Sequence, residues 1–173
     1  MFNKEEMKKV EKYLKYWVIW CVFVGVFLLV TDFDISDSFV SNFLRDIIPA
    51  VRKLDYSTRY PQLAVSVWTI FWLTGPFFLL FMLIENNGKM VRYVNFKLML
   101  FVTVCMLFVV LGLYFGIWDK LPGAHSGNMS RFSHLTKPGI VFEATLVWTG
   151  SISILFMFII VLFKLLGNIC YGK

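Results

Sequence analysis

Charge is what this sequence lacks over most of its length. Acidic and basic residues make up 16% of it, against about a quarter in a soluble domain, and they collect in the amino-terminal tail and three connecting segments. The stretches between are uncharged, a layout imposed by a bilayer rather than by water. Three cysteines, Cys21, Cys105 and Cys170, are too few and too widely spaced for a disulfide framework or a zinc site, and they read as free thiols. No nucleophile–base pair, paired carboxylates or phosphate-cradling glycine loop occurs. The two histidines, His125 and His134, share a segment whose nearest carboxylate is Asp119, a poor metal signal. The expectation is therefore a protein that is not an enzyme, with no metal and no cofactor. The net charge is +6, yet there is no long Lys/Arg block or nucleic-acid motif. The basic residues read as membrane-flanking anchors, with the lipid bilayer as the partner and no nucleic acid.

What is present is apolar. Hydrophobic residues account for 58% of the chain and aromatic ones for 18%. A helix needs about 20 apolar residues to cross the hydrocarbon core, and spans are expected at 14–31, 62–84, 98–118 and 144–163. The first contains Lys15, which can snorkel to the interface beside Tyr13, Tyr16 and Trp17. No A-x-A-like site follows its apolar run, where Thr31-Asp-Phe-Asp34 stands, so it is expected to remain as a span rather than be removed as a signal peptide. Each span should be helical, because in lipid only a helix satisfies every backbone group within one segment. The expected class is an all-α membrane protein, a single polytopic domain over 1–173.

Orientation follows from basic residues near the spans. The tail, the turn between the second and third spans, and the carboxyl-terminal end hold ten Lys/Arg; the other two loops hold seven. Both termini are therefore expected in the cytoplasm. Glu85-Asn-Asn-Gly88 is a tight-turn signal that makes a hairpin of the middle spans.

The first outer loop has a helical period over 36–54. Phe39, Val40, Phe43, Leu44, Ile47, Ile48 and Val51 share one face, and Asp37, Ser41, Asn42, Arg45 and Asp46 the other. Ser36 or Ser38 can cap the start, and Pro49 should end or kink the helix near Ile48. The segment reads as an amphipathic helix on the outer interface, with Phe39, Phe43, Arg45 and Ile47 as candidate partner contacts; a lid packed on the bundle for stability alone is the alternative. The second outer loop, 119–142, holds Pro122, Gly123, Gly127, Pro138 and Gly139 and should be irregular. Asn128-Met-Ser130 matches a glycosylation sequon, relevant only in a eukaryote.

The spans contain no ionisable residue at mid-depth, the usual mark of an ion or substrate path, and no repeat of a transporter kind. Their polar groups are hydroxyls, which act as packing glue. Gly112-x-x-x-Gly116 and Thr149-x-x-x-Ser153 have the spacing that lets helix backbones approach, so Gly112, Gly116, Thr149 and Ser153 are candidate helix-packing positions. Gly75-Pro76 should kink the second span.

This layout resembles the four-span immunity proteins that protect bacteria from pore-forming colicins. Ser57-Thr-Arg-Tyr-Pro61 leading into Thr74-Gly-Pro76, and Phe163-Lys-Leu-Leu166 near the end, are similar to segments of that family; the outer loops differ. The resemblance implies a protein that binds a membrane-inserted toxin, through the outer loops or exposed span faces. An exclusion protein of a conjugative plasmid, which meets a transfer-machinery component and blocks redundant mating, shares the gross layout. So does a structural accessory subunit of a membrane complex. Reporter fusions at Lys173 and at Gly127 should lie on opposite sides of the membrane; the same side for both would rule out four spans.

Overall fold

The computed structural model describes residues 4–31, 33–86, 96–115 and 135–171. These form six helices: α1 (Lys4–Thr31), α2 (Phe39–Ile47), α3 (Pro49–Ser57), α4 (Pro61–Asn86), α5 (Phe96–Phe115) and α6 (Lys137–Tyr171). No strand occurs among the described residues. Four helices are long and apolar enough to cross a membrane, over Met7–Thr31, Pro61–Glu85, Lys97–Phe115 and Lys137–Lys164, with mean hydropathy from 2.0 to 2.7. The protein is an all-α, multi-pass membrane protein with four spans and a helical cap, α2–α3, between the first two.

Prolines set two of the helix starts that the sequence left open. The single amphipathic helix expected over 36–54 is two helices, because Pro49 opens α3 instead of merely ending α2. Ile48 before it is extended, at φ −110° and ψ 103°, as steric contact with a proline ring requires. Ile48 closes α2 through its N–H to the Leu44 carbonyl, and its own carbonyl accepts the first bonds of α3, from Val51 and Arg52. The fourth span begins at Lys137, seven residues before the expected Ala144. Pro138 and Gly139, taken as loop signals, occupy a first helical turn, where the missing proline N–H has no partner to lose. Thr136 caps that turn, accepting from the Gly139 N–H at 3.1 Å. α1 likewise extends back to Lys4, with Lys15 paired to Glu11 one turn earlier at 2.9 Å. α4 runs unbroken through Pro76. Much of the Glu85–Gly88 turn, and the second outer loop up to His134 with both histidines and the sequon, lie outside the described residues.

One helix organises the bundle. α6 packs against α1, α4 and α5, whereas α5 makes no substantial contact with α1 or α4. Ala144, Trp148, Ile152, Phe156 and Ile160 recur every fourth residue on α6, and all are buried. Such a four-residue ridge is one of the two rows along which helices interlock. It meets Trp17, Cys21, Val24 and Leu28 of α1, Val67 and Phe71 of α4, and Val102 and Val109 of α5 in one core. Trp148 lies at its centre, edge-on to Trp72 with ring centroids 5.1 Å apart and to Trp68 at 6.2 Å, the geometry that aromatic quadrupoles favour. The buried indole N–H groups of Trp17 and Trp148 have no partner among the described residues, so packing rather than hydrogen bonding holds these rings. Large apolar side chains such as Phe23, Val30, Phe77, Phe101 and Leu107 point outward, as lipid-facing positions should.

Close helix approach occurs at two glycines that belong to neither of the expected packing motifs. A Cβ on Gly25 of α1 would collide with the Val141 side chain of α6, and one on Gly75 of α4 would sit 2.8 Å from the Trp148 ring. Gly150, by contrast, has open space around it. Gly25→Leu should therefore destabilise the bundle by about 1–3 kcal/mol, as overpacking does, while Gly150→Ala, with room for its methyl group, should not destabilise it. Melting temperatures in detergent test the pair; equal values would remove the α1–α6 contact from the stabilising set.

Candidate interaction surface on the helical cap

The cap sits where α1 ends and α4 begins, and α3 also touches α5; the Lys53 ammonium donates to the Phe115 carbonyl at 2.6 Å. Beneath it a small apolar core joins Ile48, Ala50 and Val51 to Val65 of α4. The rest of the attachment is polar. Asp34, in the link from α1, accepts from the Ser36 N–H at 2.7 Å and from the Ser66 hydroxyl at 3.0 Å. Ser66 also accepts from the Ile35 N–H. Ser41 donates to the Ile35 carbonyl and lies 3.0 Å from the Thr69 hydroxyl. Ser38, one of the two expected caps of α2, accepts from the Ser41 N–H.

Arg45 closes the network from above. It donates to the Ser36 carbonyl and the Asn42 side chain, and it pairs with Asp55 of α3 at 2.9 Å. One guanidinium fork thus ties both cap helices to the link, the use for which its planar donor set is suited. The sequence reading put Ser41 and Arg45 on the water side of an interfacial helix. Ser41 is in fact fully buried, and the Arg45 side chain is only 19% exposed. Ser41 faces inward because the Thr69 hydroxyl of α4 and the Ile35 carbonyl offer polar partners there, and Arg45 because the Ser36 carbonyl and Asp55 do.

With Ser41 and Arg45 turned in, Phe39, Phe43 and Ile47 of α2 turn out, alongside the exposed Asn42 and Asp46. Phe39 is 85% exposed, Phe43 52% and Ile47 48%. The two phenyl rings stack at 6.5 Å with 20° between planes, so they form one ridge. Of the four candidate contacts, Phe39, Phe43 and Ile47 therefore stand together on this ridge, while Arg45 holds it from behind. Among the candidate packing positions, Gly112 is buried, Thr149 and Ser153 are half-buried, and Gly116 lies outside the described residues. The Ser153 hydroxyl donates to its own helix at the Thr149 carbonyl, 2.8 Å away. Sequence reasoning missed Ser66, Thr69 and Asp34 as cap anchors; their only signal was the coincidence of hydroxyls at the start of α4 with a serine-rich link.

A second apolar feature opens sideways between α4 and α5. It is a cleft of about 310 Å3 with Gly75, Leu79, Val109, Leu113, Trp148 and Ile152 among its walls, and it exists because α5 leans on α6 rather than on α4. Among the described residues no group of three or more His, Cys, Asp or Glu could hold a metal ion. Compared with protein-family models, with curated proteins and with solved structures, the chain matches none.

Partial burial acts to raise the pKa of Asp34, but the Ser36 N–H, the Ser66 hydroxyl and the Arg45 charge outweigh it and hold the carboxyl below its ordinary value. A depressed carboxyl stabilises the folded state above its unfolded pKa, about 3.9, and that contribution disappears as pH falls through the lower folded value. The melting temperature of the wild type should therefore exceed that of Asp34→Asn at about pH 6, and the two should converge near pH 3. A gap independent of pH would mean that the Asp34 charge has no part in seating the cap.

Proposed function

We propose that this is an immunity-type protective protein of the bacterial inner membrane, with both ends in the cytoplasm and the cap on the outer face. In this reading it binds a membrane-inserting toxin, such as a pore-forming colicin, and blocks it. The observation that carries the reading is the Phe39–Phe43–Ile47 ridge, held outward by a cap that Ser41 and Arg45 anchor from the inner side. An inserting toxin must bring apolar helices to this depth, where an exposed aromatic ridge offers them a surface before the pore is assembled. The open α4–α5 cleft offers a second apolar contact within the bilayer. Spans whose charged residues lie toward their ends, and the resemblance in layout to colicin immunity proteins, support the same conclusion. Aromatic anchors of this kind dominate interface energies, and selectivity among related toxins would arise from differential contacts along the ridge.

Expression in a sensitive bacterium, followed by challenge with a panel of pore-forming toxins, tests the proposal. Protection against one toxin and not its relatives is the expected result. Phe39→Asp with Phe43→Asp should abolish protection, through a loss of about 2 kcal/mol or more in binding. Exposed positions such as these change stability by only about 0.5 kcal/mol, so the melting temperature should hold. Reduced receipt of a conjugative plasmid without toxin protection would replace this reading by exclusion. Neither effect would leave an accessory subunit.

A further inference from the structure

A cavity of about 410 Å3 lies at the level where α1 ends and α4 and α6 begin, within the range of about 300–1,000 Å3 typical of small-molecule sites. Its lining divides by chemistry. Leu28, Phe33 and Leu63 form an apolar wall, whereas Arg59, Lys137 and Asp34 form a charged one. Arg59 and Lys137, 78 residues apart in sequence, both stand 5.9 Å from the centre of the Tyr60 ring. A ring attracts each cation, but gathering two like charges at one ring favours an anion beside them. The Arg59 guanidinium makes no hydrogen bond among the described residues and is exposed, so its five donors remain available.

The backbone adds to the same field. α4 begins at Pro61, which has no N–H, and its first internal bond runs from the Ala64 N–H to the Tyr60 carbonyl at 3.1 Å. The N–H groups of Gln62 and Leu63, residues that line the cavity, precede that bond and have no capping side chain among the described residues. Among the described residues of the lining, Asp34 carries the opposing charge. One of its carboxylate oxygens already accepts from the Ser36 N–H and the Ser66 hydroxyl, and a carboxylate has lone pairs for further donors. The cavity therefore presents two cations, a carboxylate oxygen that can accept, and an apolar wall, at the height of three helix ends.

We infer that this cavity binds the headgroup of one phospholipid, with its phosphate at Arg59 and Lys137 and a hydroxyl or ammonium of the headgroup donating to Asp34. Arg59 suits a phosphate because its fork can donate two parallel bonds to it. The apolar wall takes the first methylenes below the glycerol. The chemistry fits phosphatidylglycerol and phosphatidylethanolamine, which carry both a phosphate and a terminal donor; phosphatidylcholine carries the phosphate alone. This inference is independent of the toxin-binding reading, since it uses neither the α2 ridge nor the α4–α5 cleft.

Native mass spectrometry of the delipidated protein in detergent, titrated with each of the three lipids, tests it. One phosphatidylglycerol or phosphatidylethanolamine should bind per chain, with phosphatidylcholine about tenfold weaker. Arg59→Gln should weaken phosphatidylglycerol about tenfold while its melting temperature without lipid matches the wild type. Asp34→Asn, which keeps an acceptor for Ser36 and Ser66, should narrow the preference for phosphatidylethanolamine over phosphatidylcholine. Unchanged lipid affinity in the Arg59→Gln, Lys137→Gln double variant would overturn the site, as would equal binding of phosphatidylcholine. A rise in melting temperature with inorganic phosphate equal to that with lipid would overturn the lipid as its occupant in favour of a free anion.

Discussion

In hydrocarbon a helix gains little by hiding apolar surface from its surroundings, so association must come from the fit of one helix against another. In this protein that fit converges on α6, whose four-residue ridge from Ala144 to Ile160 is the common wall for α1, α4 and α5. Trp148 shows why the dependence is strong. Its ring meets Trp68, Phe71 and Trp72 on α4, lies against Gly75, and also forms part of the cleft that α4 and α5 leave between them. Both the closed part of the bundle and its open side are consequences of one helix being the shared neighbour.

The cap depends on that arrangement at one remove. α4, held by α6, presents Ser66 and Thr69 at the level where the link and α2 cross it; Ser66 holds the link at Asp34 and Ile35, and Thr69 meets Ser41 of α2. An amphipathic helix on a membrane surface normally turns its charges to water. Here Asp37 and Asp46 do face out, but Arg45 turns inward to be shared by two helices, and the aromatic ridge is exposed as well. The interaction surface and the headgroup cavity thus adjoin the same anchored link, since Asp34 and Ser66 belong to the network under the cap and to the cavity wall.

The spans were legible in the sequence because hydrocarbon thickness imposes a length and forbids charge, and both constraints are visible residue by residue. The break at Pro49 was legible for the same local reason, a missing donor. What the sequence could not disclose was which polar groups would meet. Ser41 looks like a solvent-facing position until Thr69, more than 20 residues away, is known to lie opposite, and Arg45 until Asp55 of the next helix is. Gly25 and Gly75 carry no paired spacing, yet they are where Val141 and Trp148 come close; contact between helices is a property of two segments, whereas a motif describes one. The start of α6 at Lys137 was hidden because Pro138 and Gly139 signal a loop in isolation, and only the Thr136 cap makes them a first turn.

The position of α6 in the chain has a consequence for biogenesis. A ribosome releases α1, then α4, then α5 into the membrane before the helix that binds all three has been made. α1 and α4 touch each other and can pair in the interval. α5 has only α3, in the cap, as a described neighbour of comparable contact, and within the bilayer it must wait. Assembly is therefore not a pairwise zippering in order of synthesis but a closure, completed when the fourth span arrives and gives α5 its place.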